Sequence, residues 1–293
     1  MSHEFRKRLP EPMREVLRRT RAAFLSMGLP SKGEFSQPES ELVASAEISI
    51  VIPVLDAPPL ERCFASLERY GSGAEVIIVD DGSEREETKT LIREFAARNR
   101  WKVLRNIRPQ GHSRATEAGA RLATHPYLCL LNADTVMTPW SWRAAQEAFE
   151  ADPRIAVTGP TTSHATTPQM IKRAELCRHY WNDAQVCGFA KYYAEKVRSR
   201  GWVDLPEVGG FAFFVRRDVW EELGGFDQDL PDYGNEVEFC RRITKSGRRI
   251  VWTQKSYIHH LGNQTYSGPR FGKNYIYEKS LRALEYIERK HGG

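Results

Sequence analysis

Between residues 47 and 160 the chain alternates short apolar segments with longer segments of helical periodicity. The apolar segments include ISIVIPVL at 48–55, EVIIVDDGS at 75–83 and YLCLLNAD at 127–134. Unbroken β-branched and leucine-rich runs of this kind are typical of strands that are covered on both faces. Strands that alternate with helices at this spacing need crossover connections, so we predict an α/β fold with a mostly parallel sheet flanked by helices.

Outside this stretch the pattern divides the chain into three parts. The regular alternation of strand and helix patterns weakens at 161–205, which we interpret as a partly helical insert, and it returns at 209–253. We therefore predict a basic helix and linker at 1–45, a single α/β domain at 46–267 and a C-terminal helical addition at 268–293.

Composition narrows the class of protein. Hydrophobic residues make up 41% of the 293 residues, which is enough for a sizeable core, and the net charge of +5 suits anionic substrates. The sequence has no clustered basic stripe of the kind that indicates nucleic-acid binding. The five cysteines form no CxxC pair, which indicates reduced thiols in a cytoplasmic protein.

The N-terminal segment 11–28 is a basic amphipathic helix with neither the apolar core of a signal peptide nor the length of apolar sequence that spans a membrane. Two interpretations stay open for it. It could contact the inner face of the membrane peripherally, or it could cap the main domain with its arginines in water.

The carboxyl ends of parallel strands meet at one edge of a sheet, and ligands bind beyond that edge. Polar residues gather there, and two successive aspartates after the second strand point in opposite directions. One can cap the following helix, and the other can face the cleft and accept the imide N–H of a pyrimidine. The candidates at this edge are Pro53–Asp56, Asp80, Asp81, Ser83, Gly111, Arg114, Asn132 and Asp134.

Three further patterns each have a structural and a functional interpretation. Asn132 and Asp134 are spaced to share one face and hold a divalent cation, or they form an ordinary turn. Gly111 and Arg114 at a helix start could face phosphate, or belong to an ordinary loop. Glu236 and Glu238 stand at the start of a helix. A carboxylate there either interacts favourably with the helix dipole or serves as a general base.

The order of the motifs is more specific than any one of them. The succession SIVIPVLD, EVIIVDDGS, LLNADTVMTPW, GGFAFFVRRDVWEELGGFD, YGNEVEFCRRI and HHLGNQT resembles a family 2 glycosyltransferase of the GT-A fold, of the rhamnosyltransferase-like kind. The resemblance covers roughly residues 46–267 and implies that this part is a nucleotide-sugar domain.

The resemblance also implies roles for individual residues. Pro53 and Leu55 line the nucleotide base, although the family usually has tyrosine at the second position, and Asp81 binds the base. Asn132 replaces the first acid of the D-x-D motif, and Gly111 and Arg114 stay nucleotide-binding candidates. Asp134 and His260 hold Mn²⁺ or Mg²⁺, and Glu236 is the catalytic base. Asn235 replaces an acid that is often present beside that base.

The function implied is that of an inverting, metal-dependent glycosyltransferase. It would move a sugar from a UDP- or dTDP-sugar donor to a hydroxyl on a glycan or lipid-linked acceptor, in the assembly of cell-surface polysaccharide. Two alternatives stay open: a nucleotide-sugar-binding module that has lost catalysis, because Leu55, Asn132 and Asn235 depart from the family pattern, and a nucleotidyltransferase. The latter would usually carry a Gly-rich basic loop after the first strand, and PVLDAPPLE is not one.

Overall fold

A computed structural model describes residues 47–56, 59–71, 73–138, 141–171, 183–197, 200–262 and 275–292. The predicted N-terminal helix at 11–28 and Cys177 lie outside these residues. The other four cysteines are buried thiols in no disulfide bond. Within the described part of the chain, no helix is both long enough and apolar enough to cross a membrane.

Strands and helices alternate along the described residues, as the apolar periodicity predicts. The strands are β1 (Ile48–Val54), β2 (Glu75–Asp80), β3 (Lys102–Arg105), β4 (Tyr127–Leu131), β5 (Thr135–Val136), β6 (Ile155–Thr162), β7 (Trp202–Asp204), β8 (Ala212–Arg216) and β9 (Arg249–His260). The helices are α1 (Leu60–Tyr70), α2 (Glu86–Asn99), α3 (His112–Ala120), α4 (Ser141–Ala151), α5 (Asp183–Lys196), α6 (Arg217–Leu223), α7 (Asn235–Lys245) and α8 (Tyr275–His291).

The strands form one mixed sheet in the order β3-β2-β1-β4-β8-β6-β9-β5, and β7 pairs with β9. β1, β2, β3 and β4 are mutually parallel, as are β6 and β9. β8 runs antiparallel to β4 and β6, so its amino end lies at the edge where the parallel strands end. The predicted α/β architecture is confirmed, with β5, β7 and β8 as its antiparallel members.

Side chains alternate between two buried layers, one on each face of the sheet. On β1, Ile50 and Ile52 pack in the layer under α1, α2 and α4, while Val51 packs in the opposite layer with α3, α6 and α7. Gly119 lets α3 approach the sheet closely, because a Cβ at this position would lie 2.4 Å from Cγ1 of Val51. Both faces being covered explains the continuous apolar runs in the sequence.

Candidate functional site

A cavity of about 520 Å³ opens at the carboxyl edge of the sheet. The structure brings almost all of the predicted site residues to it, although they come from segments far apart in the chain. They are Pro53, Leu55, Asp81, Gly111, Asn132, Asp134, Glu236 and His260. Arg114 is the exception and corrects the prediction, because it lies exposed on α3 while its neighbours His112 and Ala115 line the cavity.

Asp134 and His260 are brought together by a short antiparallel ladder. Thr135, the first residue of β5, pairs with His260 at the end of β9, and the N–H of Leu261 donates to the carbonyl of Asp134 at 2.9 Å. As a result, Nε2 of His260 lies 3.2 Å from Oδ1 of Asp134, and both residues are largely buried. His259, the neighbouring residue, points elsewhere and contacts the hydroxyl of Tyr257 at 2.8 Å.

The hydrogen bonding of the His260 ring defines what Nε2 can do. Nδ1 lies 2.8 Å from the backbone carbonyl of His164, and because a carbonyl only accepts, Nδ1 carries a proton. In the neutral ring, Nε2 therefore presents a lone pair toward the carboxylate of Asp134, so a proton or a cation is needed between the two groups. A histidine whose other ring nitrogen donates to a backbone carbonyl is also the usual arrangement of a metal ligand.

The protein itself supplies few ligands at this place. Among the residues that the structure describes, no group of three or more His, Cys, Asp or Glu side chains is arranged to hold a metal ion. Asp134 and His260 therefore fit a cation only if other oxygen ligands complete its coordination.

Asp81 is held by the loop that follows β3. Its Oδ1 accepts from the Asn106 amide at 2.8 Å and from the Gln110 N–H at 2.9 Å, and its Oδ2 accepts from the Gly111 N–H at 2.9 Å. The carboxylate is buried and lines the cavity beside Pro53 and Leu55. Asp81 thus orders the loop at 106–111 and faces the cavity at the same time.

Asp80 points the other way, as the strand geometry predicts, but it does not cap α2. It accepts from the N–H of Ser83 at 2.9 Å and forms a salt bridge with Arg105. The backbone before the helix is held instead by Asp56, which accepts from the N–H groups of Glu84 at 3.2 Å and Arg85 at 3.0 Å. The expectation that one of the two aspartates caps this helix is wrong, because Asp56, a residue distant in sequence, binds the backbone there instead.

Glu236 is the second residue of α7 and lines the same cavity as Asp81 and Asp134. Burial raises the pKa of Glu236, the charge of Glu207 raises it further, and hydrogen bonds from its own N–H and from the backbone of Gly210 partly offset both effects. Gly210 is close enough that a Cβ there would lie 3.3 Å from Cδ and Oε1 of Glu236. A carboxylate with a raised pKa in a cleft is suited to proton transfer.

Glu238, two residues further on, has a structural role. It is fully buried and accepts from Arg242 at 2.6 Å, Lys290 at 2.9 Å and His291 at 3.0 Å. Burial alone would raise the pKa of Glu238, but hydrogen bonds led by that from Arg242 bring it below its ordinary value. This cluster fastens α8 against α7.

Two parts of the cavity wall were not predicted. The helix α8 contributes Ile276, Ser280, Ala283 and Leu284, and its place against the cavity depends on Gly234, where a Cβ would lie 2.8 Å from that of Ala283. His112 and His164 also line the cavity. The sequence signal that could indicate His112 is its position directly after Gly111.

An α/β sheet whose strand ends carry the cavity occurs in many enzyme classes, and similarity to glycosyltransferases of known structure identifies this one as the GT-A fold. The chain belongs to glycosyl transferase family 2, since the model of that family matches residues 49–224, more than half of the sequence.

Individual relatives agree with this class. The chain is 25% identical over 226 residues to the O-antigen biosynthesis protein RfbC of Myxococcus xanthus, an alignment that covers 73% of this chain and 17% of the relative. Its fold is similar to that of GalNAc-T7 with UDP, GalNAc and Mn²⁺, at a TM-score of 0.60 and 18% identity, over 83% of this chain and 47% of that one. It is also similar to the mannosyltransferase PcManGT from Pyrobaculum calidifontis in complex with GDP-Man and Mn²⁺, at a TM-score of 0.55 and 17% identity, over 93% of this chain and 77% of that one. The chain thus spans less than a fifth of the length of RfbC and about half of GalNAc-T7.

Proposed function

We propose that this chain is an inverting, metal-dependent glycosyltransferase that moves a sugar from a UDP- or dTDP-sugar to a hydroxyl group of a glycan or lipid-linked acceptor. The observation that carries the proposal is the grouping of Asp134, His260 and Glu236 around one cavity, with Nε2 of His260 3.2 Å from Oδ1 of Asp134. The name of the RfbC relative supports a place in polysaccharide assembly. The cytoplasmic location and the membrane contact of residues 11–28 stay predictions.

The residues divide the work between donor and acceptor. Pro53, Leu55 and Asp81 form the part of the cavity that would receive the base, with the carboxylate of Asp81 accepting the imide N–H of a pyrimidine. Asp134 and His260 would hold Mn²⁺ or Mg²⁺ together with oxygen atoms of the donor diphosphate. When bound, the cation would supply positive charge to the leaving diphosphate.

Glu236 acts on the acceptor. Its carboxylate takes the proton of the acceptor hydroxyl, whose oxygen then attacks the anomeric carbon on the side opposite the departing diphosphate. A single displacement of this kind inverts the configuration at that carbon. The raised pKa of Glu236 brings the base closer to the operating pH, where general-base catalysis is most effective.

The test measures release of nucleoside diphosphate from a set of UDP- and dTDP-sugars, with Mn²⁺ and with EDTA. General-base catalysis contributes about 10²–10⁴-fold, so Glu236→Gln should lower turnover by that factor and leave donor binding nearly unchanged. Glu207→Gln is the matched control, since Glu207 lines the same cavity.

The outcomes separate the alternatives. Wild-type turnover by Glu236→Gln, with loss in Glu207→Gln, would move the role of base to Glu207. Donor binding without turnover in the unsubstituted protein would favour a binding module. For the metal, Asp134→Ala should remove the increase in melting temperature that Mn²⁺ produces through binding to the folded state, and an undiminished increase would rule out this ligand.

A further inference from the structure

A buried glutamine supports the part of the cavity wall that Gly209 and Gly210 form. This residue, Gln169, belongs to the insert at 161–205, whose function the sequence does not indicate. Its side chain is fully buried, and its backbone carbonyl accepts from the N–H of Thr162, the last residue of β6, at 3.0 Å. The position of Gln169 is therefore fixed relative to the central sheet.

The side-chain amide of Gln169 connects three segments of the chain. Its Oε1 accepts from the N–H of Gly209 at 2.7 Å and from the hydroxyl of Thr167 at 2.8 Å. Its Nε2 donates to the carbonyl of Pro160 at 2.8 Å. Because a backbone N–H only donates and a carbonyl only accepts, these partners allow the amide a single orientation.

The glycine of β6 next to Pro160 shows how closely this amide is packed. A Cβ at Gly159 would lie 2.4 Å from Nε2 of Gln169 and 2.7 Å from Cβ of Val208. The strand therefore lies directly against the amide and against the residue before Gly209. Neither can move toward the sheet, so the segment at 208–210 is held between β6 and the cavity.

This segment meets the proposed base at its next residue. Gly210 lies so close to Glu236 that a Cβ at Gly210 would be 3.3 Å from Cδ and Oε1 of the carboxylate. The peptide unit between Gly209 and Gly210 is planar and rigid, so a shift of Gly209 would carry the backbone of Gly210 with it. The hydrogen bond from Gly209 to Gln169 thus limits where the carboxylate of Glu236 can lie.

We propose that Gln169 is a positioning residue that holds Gly209 and Gly210 against the carboxylate of Glu236. Gln169 does not line the cavity itself, and it acts through the backbone of the two glycines. The inference rests on the proposed glycosyltransferase function, and it makes the orientation of the base depend on the insert at 161–205.

Two substitutions separate the bond to Gly209 from the rest of this cluster. Gln169→Met keeps the length of the side chain but removes the acceptor for the Gly209 N–H. Thr167→Val is the matched control, because it removes the other hydrogen bond to the same Oε1 and leaves the one from Gly209 in place. The assay measures release of nucleoside diphosphate from the most active UDP- or dTDP-sugar, with Mn²⁺ and with water as the acceptor.

We expect Gln169→Met to lower kcat about 3–10-fold, because a shift of a few tenths of an ångström at the base costs a part of the roughly 10²-fold loss for 1 Å. The KM for the donor should not change, nor should the increase in melting temperature that UDP and Mn²⁺ produce, since Asp134 and His260 stay in place. Thr167→Val should keep the kcat of the wild type.

The same substitution is then made in Glu236→Gln. If Gln169 acts through the base, Gln169→Met causes no further loss there, since the effects of coupled residues do not add. An equal loss in Thr167→Val, or a loss of the same size in the Glu236→Gln background, overturns the inference and leaves the proposed function standing. A wild-type protein that turns over no nucleotide-sugar overturns the proposed function, and this inference with it.

Gln169→Glu provides the test if the methionine variant does not fold. Burial beside the carbonyl of Pro160 favours the protonated acid, which offers an oxygen to Gly209 and an O–H to Pro160. A kcat close to that of the wild type supports the inference. A loss of about tenfold, in a variant whose melting temperature equals that of the wild type, overturns it because the acceptor for Gly209 is still present.

Discussion

The close approach of Gly210 to Glu236 allows a test of the base that leaves its carboxylate in place. In Gly210→Ala, the new methyl group would lie 3.3 Å from Cδ and Oε1 of Glu236, which is tighter than an ordinary van der Waals contact of about 3.5–4.0 Å. The carboxylate must therefore move by a few tenths of an ångström. The substitution removes no hydrogen-bonding group, because Gly210 donates to Glu236 through its backbone.

The size of the effect follows from that displacement. A misplacement of about 1 Å at a reacting group costs roughly 10²-fold in rate, so a shift of a few tenths should cost about 3–10-fold. We expect this loss in kcat for sugar transfer to the acceptor, with the KM for the donor unchanged, because Asp81, Asp134 and His260 hold their positions. Initial rates at varied donor and acceptor concentrations measure both constants, and the melting temperature shows whether the fold is intact.

Gly209→Ala is the matched control. A Cβ there would meet the ring of Phe211 at 3.3 Å and does not approach Glu236. An equal loss of kcat in both variants would mean that the segment at 209–210, and not the position of the base, limits the reaction. An unchanged kcat in Gly210→Ala would refute the role of Glu236 that the geometry supports.

Three other substitutions test the charges and the backbone around the cavity. Glu236→Gln should raise the melting temperature at pH 8 and leave it unchanged near pH 4. The raised pKa of Glu236 means that the folded state favours the protonated acid. This contribution to stability is present below the unfolded pKa of about 4.3 and is lost as the pH rises through the folded pKa. An equal effect at both pH values would contradict this. Glu238→Gln should lower the free energy of unfolding in urea by about 2 kcal/mol at pH 7, a moderate value for a buried acid whose basic partners are partly exposed. Since the folded pKa of Glu238 is lowered, its contribution should fade as the pH falls through that value, and a difference that persists below it would argue against the ion cluster. Gly111→Ala should cost about 1–3 kcal/mol, because φ 93° and ψ 159° belong to a region that only glycine adopts readily and a Cβ would lie 2.9 Å from that of Pro231. A melting temperature equal to that of the wild type would show that the loop relaxes.

The sequence predicted those parts of the site that follow from strand order. Asp81 follows β2 directly and Asp134 lies three residues after the end of β4, and the parallel arrangement of these strands places both residues at one edge. His260 was predicted only through the resemblance, since nothing local indicates that β9 continues far enough to pair with β5.

Other features depend on contacts between distant segments that periodicity does not encode. Nothing in the sequence NEVEF tells Glu236 from Glu238, because both stand in the first turn of a helix. The contacts of the two side chains distinguish them. Glu238 forms ion pairs with Arg242 and the basic end of α8, whereas Glu236 lies against Gly210 and lines the cavity. The prediction for Arg114 was wrong for the same reason. Arg114 is exposed to solvent, whereas Ala115, the next residue along α3, lines the cavity.

The limits of the family match divide the cavity in an informative way. Residues 49–224 include the strand ends that carry Asp81 and Asp134, which the proposal assigns to the donor. Glu236, His260 and the wall formed by α8 all come later in the chain. The match thus ends before Glu236, which the proposal assigns to the acceptor, and also before His260, which it assigns to the donor, so both parts of the proposed site need α7 and β9 in addition to the strand ends.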